Sequence, residues 1–199
     1  MLIGLAALGI VGVFGLGFAA DAAKPAAPKA APTQEEMMAA WQKAATPGPE
    51  HAVLKNFEGK WTSHVTSLMD PAHPEVNDGT SEGMLTMGGR YVHVAHHGTM
   101  MGQPFEGAML LGYDNLAKKY TSAWVDNMGT AITNYTGRYD AAKKTLTMTG
   151  HFTDPMSGQA KTTTGVTTFT GPDSMTYDES GPGPDGKIVK FLHIDFKRS

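Results

Sequence analysis

From Gly59 to Arg198 the chain offers short runs rich in Val, Ile, Thr, Tyr and Phe, cut at near-regular intervals by Gly, Pro, Asn and Asp. No convincing helical period occurs in that span. The runs Lys60–Met69, Gly79–Met87, Arg90–Thr99, Pro104–Tyr113 and Lys119–Asn127 each suit one strand. Ala131–Asp140, Thr145–Thr153, Ala160–Thr170, Ser174–Ser180 and Lys187–Lys197 continue the series. About ten short strands joined by turns predict an antiparallel up-and-down meander closed into a β-barrel. Closure also removes the unpaired edges that an open meander would expose.

The N-terminal part has another character. Leu2–Ala20 is apolar and uncharged, with small residues around Ala19–Ala22 that suit cleavage, so residues 1–22 read as a signal peptide or membrane anchor. No Lys or Arg precedes the apolar run, which an export signal ordinarily has. Residues 23–32 continue as an Ala/Pro linker. On this reading the protein is periplasmic or secreted, and it meets a membrane only through an uncleaved N-terminus. Residues 33–198 would then form a single barrel domain with N-terminal helices within 34–57. Thr33-Gln34-Glu35-Glu36 has the pattern of a capping box opening a helix over Gln34–Ala45, and Thr46-Pro47-Gly48-Pro49 stops it. Glu50–Phe57 predicts a second, shorter helix.

Composition excludes several classes. A net charge of −3 leaves no basic footprint for nucleic acid. The absence of cysteine removes disulfides, thiolate metal sites and a cysteine nucleophile. The 13 methionines raise a copper reading, but they are scattered, as in Thr147-Met148-Thr149, and suit adaptable core filling better.

Several segments carry a family pattern. They are Pro47-Gly48-Pro49-Glu50-His51 with Gly59-Lys60-Trp61, Gly88-Gly89-Arg90-Tyr91, Met100–Gly107, Gly112-Tyr113-Asp114-Asn115 and Trp124–Met128. Thr153–Met156 and Gly181–Lys187 complete the set. In this order they resemble the bacterial domain-of-unknown-function 1579 family across Met37 to Arg198. The resemblance implies a calycin-like barrel, often exported, and no particular activity. Gly59-Lys60-Trp61 on the first strand, with Arg198 after the last, is also similar to the lipocalin closure. That resemblance implies structural roles for Gly59, Trp61 and Arg198, with the indole plugging one end and the guanidinium lying across it. The Gly–Tyr pattern expected of nitrobindin-like haem barrels near the first strand is missing, and no cofactor follows from the residues.

Candidate site residues lie on the central strands. Alternation puts Tyr91, His93, Ala95, His97 and Thr99 on one face of their strand, and Val92, Val94, His96 and Gly98 on the other. His93 and His97 stand roughly 13 Å apart along the strand, too far to share one metal. Tyr120, Ser122, Trp124 and Asp126 share a face of their strand. The expected ligand-binding set is Arg90, Tyr91, His93, Trp124 and Asp126, with an Arg90–Asp126 pair either binding a polar group or tying the structure. The Asp178–Lys187 stretch reads as a long hairpin connection with solvated acidic residues. No catalytic triad, carboxylate pair or phosphate loop can be defended from the spacings. The leading reading is a small hydrophobic or amphipathic ligand inside the barrel. The alternatives are a barrel filled by its own side chains, serving the cell envelope, and an enzyme acting on a small molecule with Asp126 as an acid–base group.

Overall fold

The computed structural model describes residues 31–183 and 185–199. The expected signal or anchor segment and most of the linker lie outside the described residues.

Two helical elements precede the sheet. Helix α1 (Gln34–Ala45) opens on the expected capping box, with Thr33 Oγ1 accepting from the Glu36 amide and the Glu36 carboxylate accepting from the Thr33 amide. None of its residues is buried. The second helix, Pro49–Phe57, is 3₁₀ rather than α, and it turns His51, Val53, Leu54 and Phe57 into the protein.

Ten strands follow: β1 (Gly59–Ser67), β2 (Glu75–Thr86), β3 (Tyr91–Met100), β4 (Gln103–Asp114) and β5 (Lys119–Asp126). The second half comprises β6 (Thr133–Asp140), β7 (Thr145–Thr153), β8 (Ala160–Gly171), β9 (Ser174–Pro182) and β10 (Ile188–Arg198). Each pairs antiparallel with its sequence neighbour, and β10 returns to β1, with Trp61 opposite Arg198, to close the barrel. β2 begins at Glu75, four residues before the expected Gly79, because Glu75–Asp78 pairs with His64–Ser67. One hairpin device occurs twice. Asp114 Oδ1 accepts the amides of Leu116 and Ala117, and Asp140 Oδ1 those of Ala142 and Lys143. Lys118 and Lys144 take positive φ at the equivalent place.

The two ends of the barrel differ. At one end the 3₁₀ helix lies across the opening and joins a core containing Leu54, Phe57, Trp61, Val92, Leu111, Leu146 and Phe169. Phe57 and Phe169 meet edge to face at 5.4 Å. Trp61 Nε1 donates to the Phe57 carbonyl, and the Tyr120 hydroxyl donates to the Glu50 carbonyl at 2.7 Å. Gly83 admits this plug, since a Cβ there would sit 1.9 Å from the Phe57 carbonyl oxygen. Arg198 lies over the Trp61 ring, its guanidinium carbon 4.2 Å from the centroid. The same guanidinium bonds the Glu58 carbonyl and Asp173. Gly59 combines φ +97° with the Arg198 Nη1 atom 2.7 Å from where a Cβ would be, so both conformation and space call for glycine.

Candidate functional site

Burial falls from the plugged end toward the other along the inward face of each strand. On β3 it runs from buried Val92 and Val94 to half-buried His96 and Gly98; on β5 from buried Tyr120 and Ser122 to half-buried Trp124 and Asp126. On β9 Met175 is buried, while Tyr177 and Glu179 keep partial solvent contact. The same strands that build the core thus enclose the barrel interior, or lumen, of the other half, where the inward side chains keep partial solvent contact.

That lumen is lined by rings and carboxylates. Trp124, Tyr135 and Tyr177 each lie against a glycine of a neighbouring strand, where an added Cβ would come within 2.6 Å of Trp124 from Gly107, 2.6 Å of Tyr135 from Gly150 and 2.4 Å of the Tyr177 hydroxyl from Gly165. The glycines let these large rings lie along the wall. Phe105 stacks on Trp124 with centroids 6.4 Å apart. His96 reaches inward between Trp124, at 5.4 Å, and Phe196, at 6.2 Å.

The polar groups are arranged around Glu179 and Asp126. Glu179 Oε1 accepts from the Thr163 hydroxyl at 2.8 Å and the Tyr135 hydroxyl at 3.2 Å. Burial first, and then the Glu179 charge, push the Tyr135 and Tyr177 phenols well above their ordinary range, with Asp126 adding a smaller push on Tyr135. Asp126 Oδ2 accepts from Trp124 Nε1 at 2.7 Å and Oδ1 from the Met128 amide at 3.0 Å. Asp126 therefore fixes the indole and the loop after β5. Ser81, opposite His96 in the β2–β3 pairing, is only 4% exposed, and its hydroxyl has no hydrogen-bond partner.

Burial, with a smaller contribution from the neighbouring His97, lowers the His96 imidazole from 6.5 to about 4. The unfolded chain then takes up this proton near pH 6.5 and the folded chain only near pH 4. Stability carried by the neutral ring is present above pH 6.5 and is lost as pH falls toward 4. Allowing for the ring's residual solvent contact, the loss is about 1–2 kcal/mol. Wild type and His96→Gln, melted at pH 7.5 and pH 4.5, should differ in the size of the acid decrease, with the variant losing less. Equal decreases would mean that the buried imidazole does not titrate in this window.

Of the expected ligand-binding residues, Trp124 and Asp126 share the lumen. Tyr91, His93 and Arg90 do not. The alternation on β3 is as read, but the face that turns inward carries the branched aliphatics Val92 and Val94, which leaves Tyr91 and His93 outside. The Tyr91 ring covers Gly112 on the outer wall instead. Arg90 lies at the plugged end, donating to the Ala45 and Met87 carbonyls at 2.9 Å, so the Arg90–Asp126 pair does not form. Glu179, expected to be solvated in a hairpin connection, faces inward because β9 extends to Pro182. His96, Tyr135, Tyr177 and Glu179 were missing from the expected set. Each stands two or four residues from a buried apolar or glycine position on its own strand, the signal that would have found them. Among the described residues no group of three or more His, Asp or Glu side chains is placed to hold a metal.

These features define a closed ten-stranded antiparallel barrel, plugged at one end and lined with rings and carboxylates toward the other. The chain belongs to the DUF1579 family, proteins of unknown function, whose pattern it matches over residues 46–198. No curated protein sequence matches it. Among solved structures it is similar to Rv2717c from M. tuberculosis, with TM-score 0.56 and 11% identity, over 77% of this chain and 99% of that one. It is also similar to the S-type phycobiliprotein lyase CPES from Guillardia theta, with TM-score 0.49 and 12% identity, over 77% of this chain and 98% of that one. At such identity the first likeness speaks for the fold alone.

Proposed function

We propose that the protein binds a small, partly apolar molecule in the open half of its barrel. The observation that carries this reading is the contrast between the two halves of one interior. Around the plug the inward side chains are close-packed and dry. Toward the other end the inward groups are large rings held along the wall and polar atoms that keep solvent contact. A barrel filled by its own side chains would show the first arrangement throughout. Apolar surfaces with a few placed polar groups are what small-molecule sites offer. Trp124, Tyr135 and Tyr177 supply contact area, Glu179 and His96 supply orientation, and Asp126 holds the indole in position.

The neutral fluorophore N-phenyl-1-naphthylamine tests the reading. Saturable binding at one site per chain, with energy transfer from tryptophan, is the expected result. A Trp41→Phe background removes the exposed indole of α1. Gly150→Val, which drives the Tyr135 ring off the wall, should weaken binding about tenfold, or ~1.4 kcal/mol. Folded wild type showing no saturable binding would overturn the proposal.

Export is a separate part of the proposal and rests on Leu2–Ala20 alone. A fusion of residues 1–32 to alkaline phosphatase should be active in a bacterial host if the segment directs export. An inactive fusion would place the barrel on the cytoplasmic side.

A further inference from the structure

The charges that face the lumen are unbalanced. Glu179 and Asp126 point inward in the open half, and Glu75, on the inward face of β2 and accepting from the Asn77 side chain, adds a third carboxylate. Among the described residues the inward-facing basic side chains are Lys161, in β8, and Arg198. Lys161 is paired with Asp154 at 2.6 Å, and Arg198 lies at the plugged end over Trp61. His96 is neutral at physiological pH, since its imidazole takes a proton only near pH 4.

Glu179 has no cationic partner among the described residues. The Thr163 and Tyr135 hydroxyls both donate to Oε1, and the Tyr177 phenol also lies within hydrogen-bonding reach of the carboxylate, so the groups around it are neutral hydroxyls. A carboxylate taken partly out of water is stable when a cation or several donors complete its shell. Tyr135 and Tyr177 adjoin it and Trp124 faces the same half of the interior, and the π-systems of such rings attract cations. A second observation is independent of the acids. The buried Ser81 hydroxyl, on the inward face of β2 between Trp61 and His96, has no partner in the protein.

Resting on the reading of the lumen as a small-molecule site, we propose that its ligand carries a cationic head, a primary or quaternary ammonium group on an apolar body. The head sits at Glu179 among the three rings, and the body extends toward Phe105 and Phe196. A carboxylate or phosphate head would meet Glu179 and Asp126 with no free cation to receive it.

Four probes with one naphthylmethyl or naphthyl body separate the charge from the body. They are 1-naphthylmethylamine, its N,N,N-trimethyl form, 1-naphthalenemethanol and 1-naphthoate, each displacing N-phenyl-1-naphthylamine at pH 7.5. The ammonium probes should bind at least about tenfold more tightly than the alcohol, and the naphthoate most weakly. Glu179→Gln should bring the ammonium-to-alcohol ratio close to one, and Asp126→Asn should reduce it in part. Glu82→Gln, on the outer wall, should leave the ratio as in wild type. Circular dichroism of each variant establishes that it is folded, and either inward variant alone suffices for the comparison. An alcohol or naphthoate that binds as well as the ammonium probes would overturn the cationic ligand and leave the small-molecule site standing. Failure of N-phenyl-1-naphthylamine itself to bind folded wild type would remove the site and this inference together.

Discussion

Trp61→Ala is expected to destabilise the protein by about 3–5 kcal/mol, as a large aromatic removed from a fully packed position. The indole is 2% exposed, its N–H donates to the Phe57 carbonyl, and Arg198 covers its outer face. Truncation leaves a cavity under the plug and strips Arg198 of its ring. Because the plug cannot collapse into the space without breaking the Tyr120–Glu50 bond, the effect should lie at the upper end of that range. Arg198→Ala leaves the indole in place and should cost less, about 1–2 kcal/mol, through lost stacking and lost packing. Urea denaturation of both variants checks the order. A Trp61→Ala protein with unchanged midpoint and abolished binding of N-phenyl-1-naphthylamine would move Trp61 from the scaffold to the site.

Leu54→Ala should be the next most damaging change, at about 2–5 kcal/mol. Leu54 is 0% exposed although it sits on a short 3₁₀ helix, an element with little stability of its own. Its burial is what fastens the plug to the barrel. Trp41→Ser on α1 is the contrast. Trp41 is 73% exposed and none of the α1 residues is buried, so the change should fall within about 0.5 kcal/mol. If Leu54→Ala proved as mild as Trp41→Ser, the 3₁₀ helix would be an attachment and the lumen would be open at both ends.

The barrel was legible because its evidence is local. Turn residues, β-branched runs and a capping box each act over a few residues, and the ten strands and the α1 boundaries came from them. The lumen was less legible because its evidence is relational. Alternation on β3 separates two faces without saying which one the closed sheet turns inward, and the aromatic Tyr91 suggested the wrong one. Val92 and Val94 decide it, since a branched aliphatic gains more from burial than a tyrosine that can lie over Gly112 outside. Glu179 was hidden for another reason. It follows Asp178 and precedes a Gly/Pro-rich turn, so its neighbours mark it as loop, whereas pairing with Gly165 on one side and Leu192 on the other keeps it in the wall. Arg90 looked like a partner for Asp126 only by composition. The turn geometry at Met87–Gly89, with three consecutive positive φ values, carries it to the opposite end of the barrel.

Native mass spectrometry of the protein purified from its own host tests the central claim most directly. The account predicts a one-to-one adduct of a small molecule that unfolding in denaturant removes and that lowers the melting temperature when lost. The adduct should be reduced in Gly150→Val, whose lumen is narrowed by the displaced Tyr135 ring. A bare protein mass under the gentlest ionisation, with the same melting temperature before and after unfolding and refolding, would contradict it.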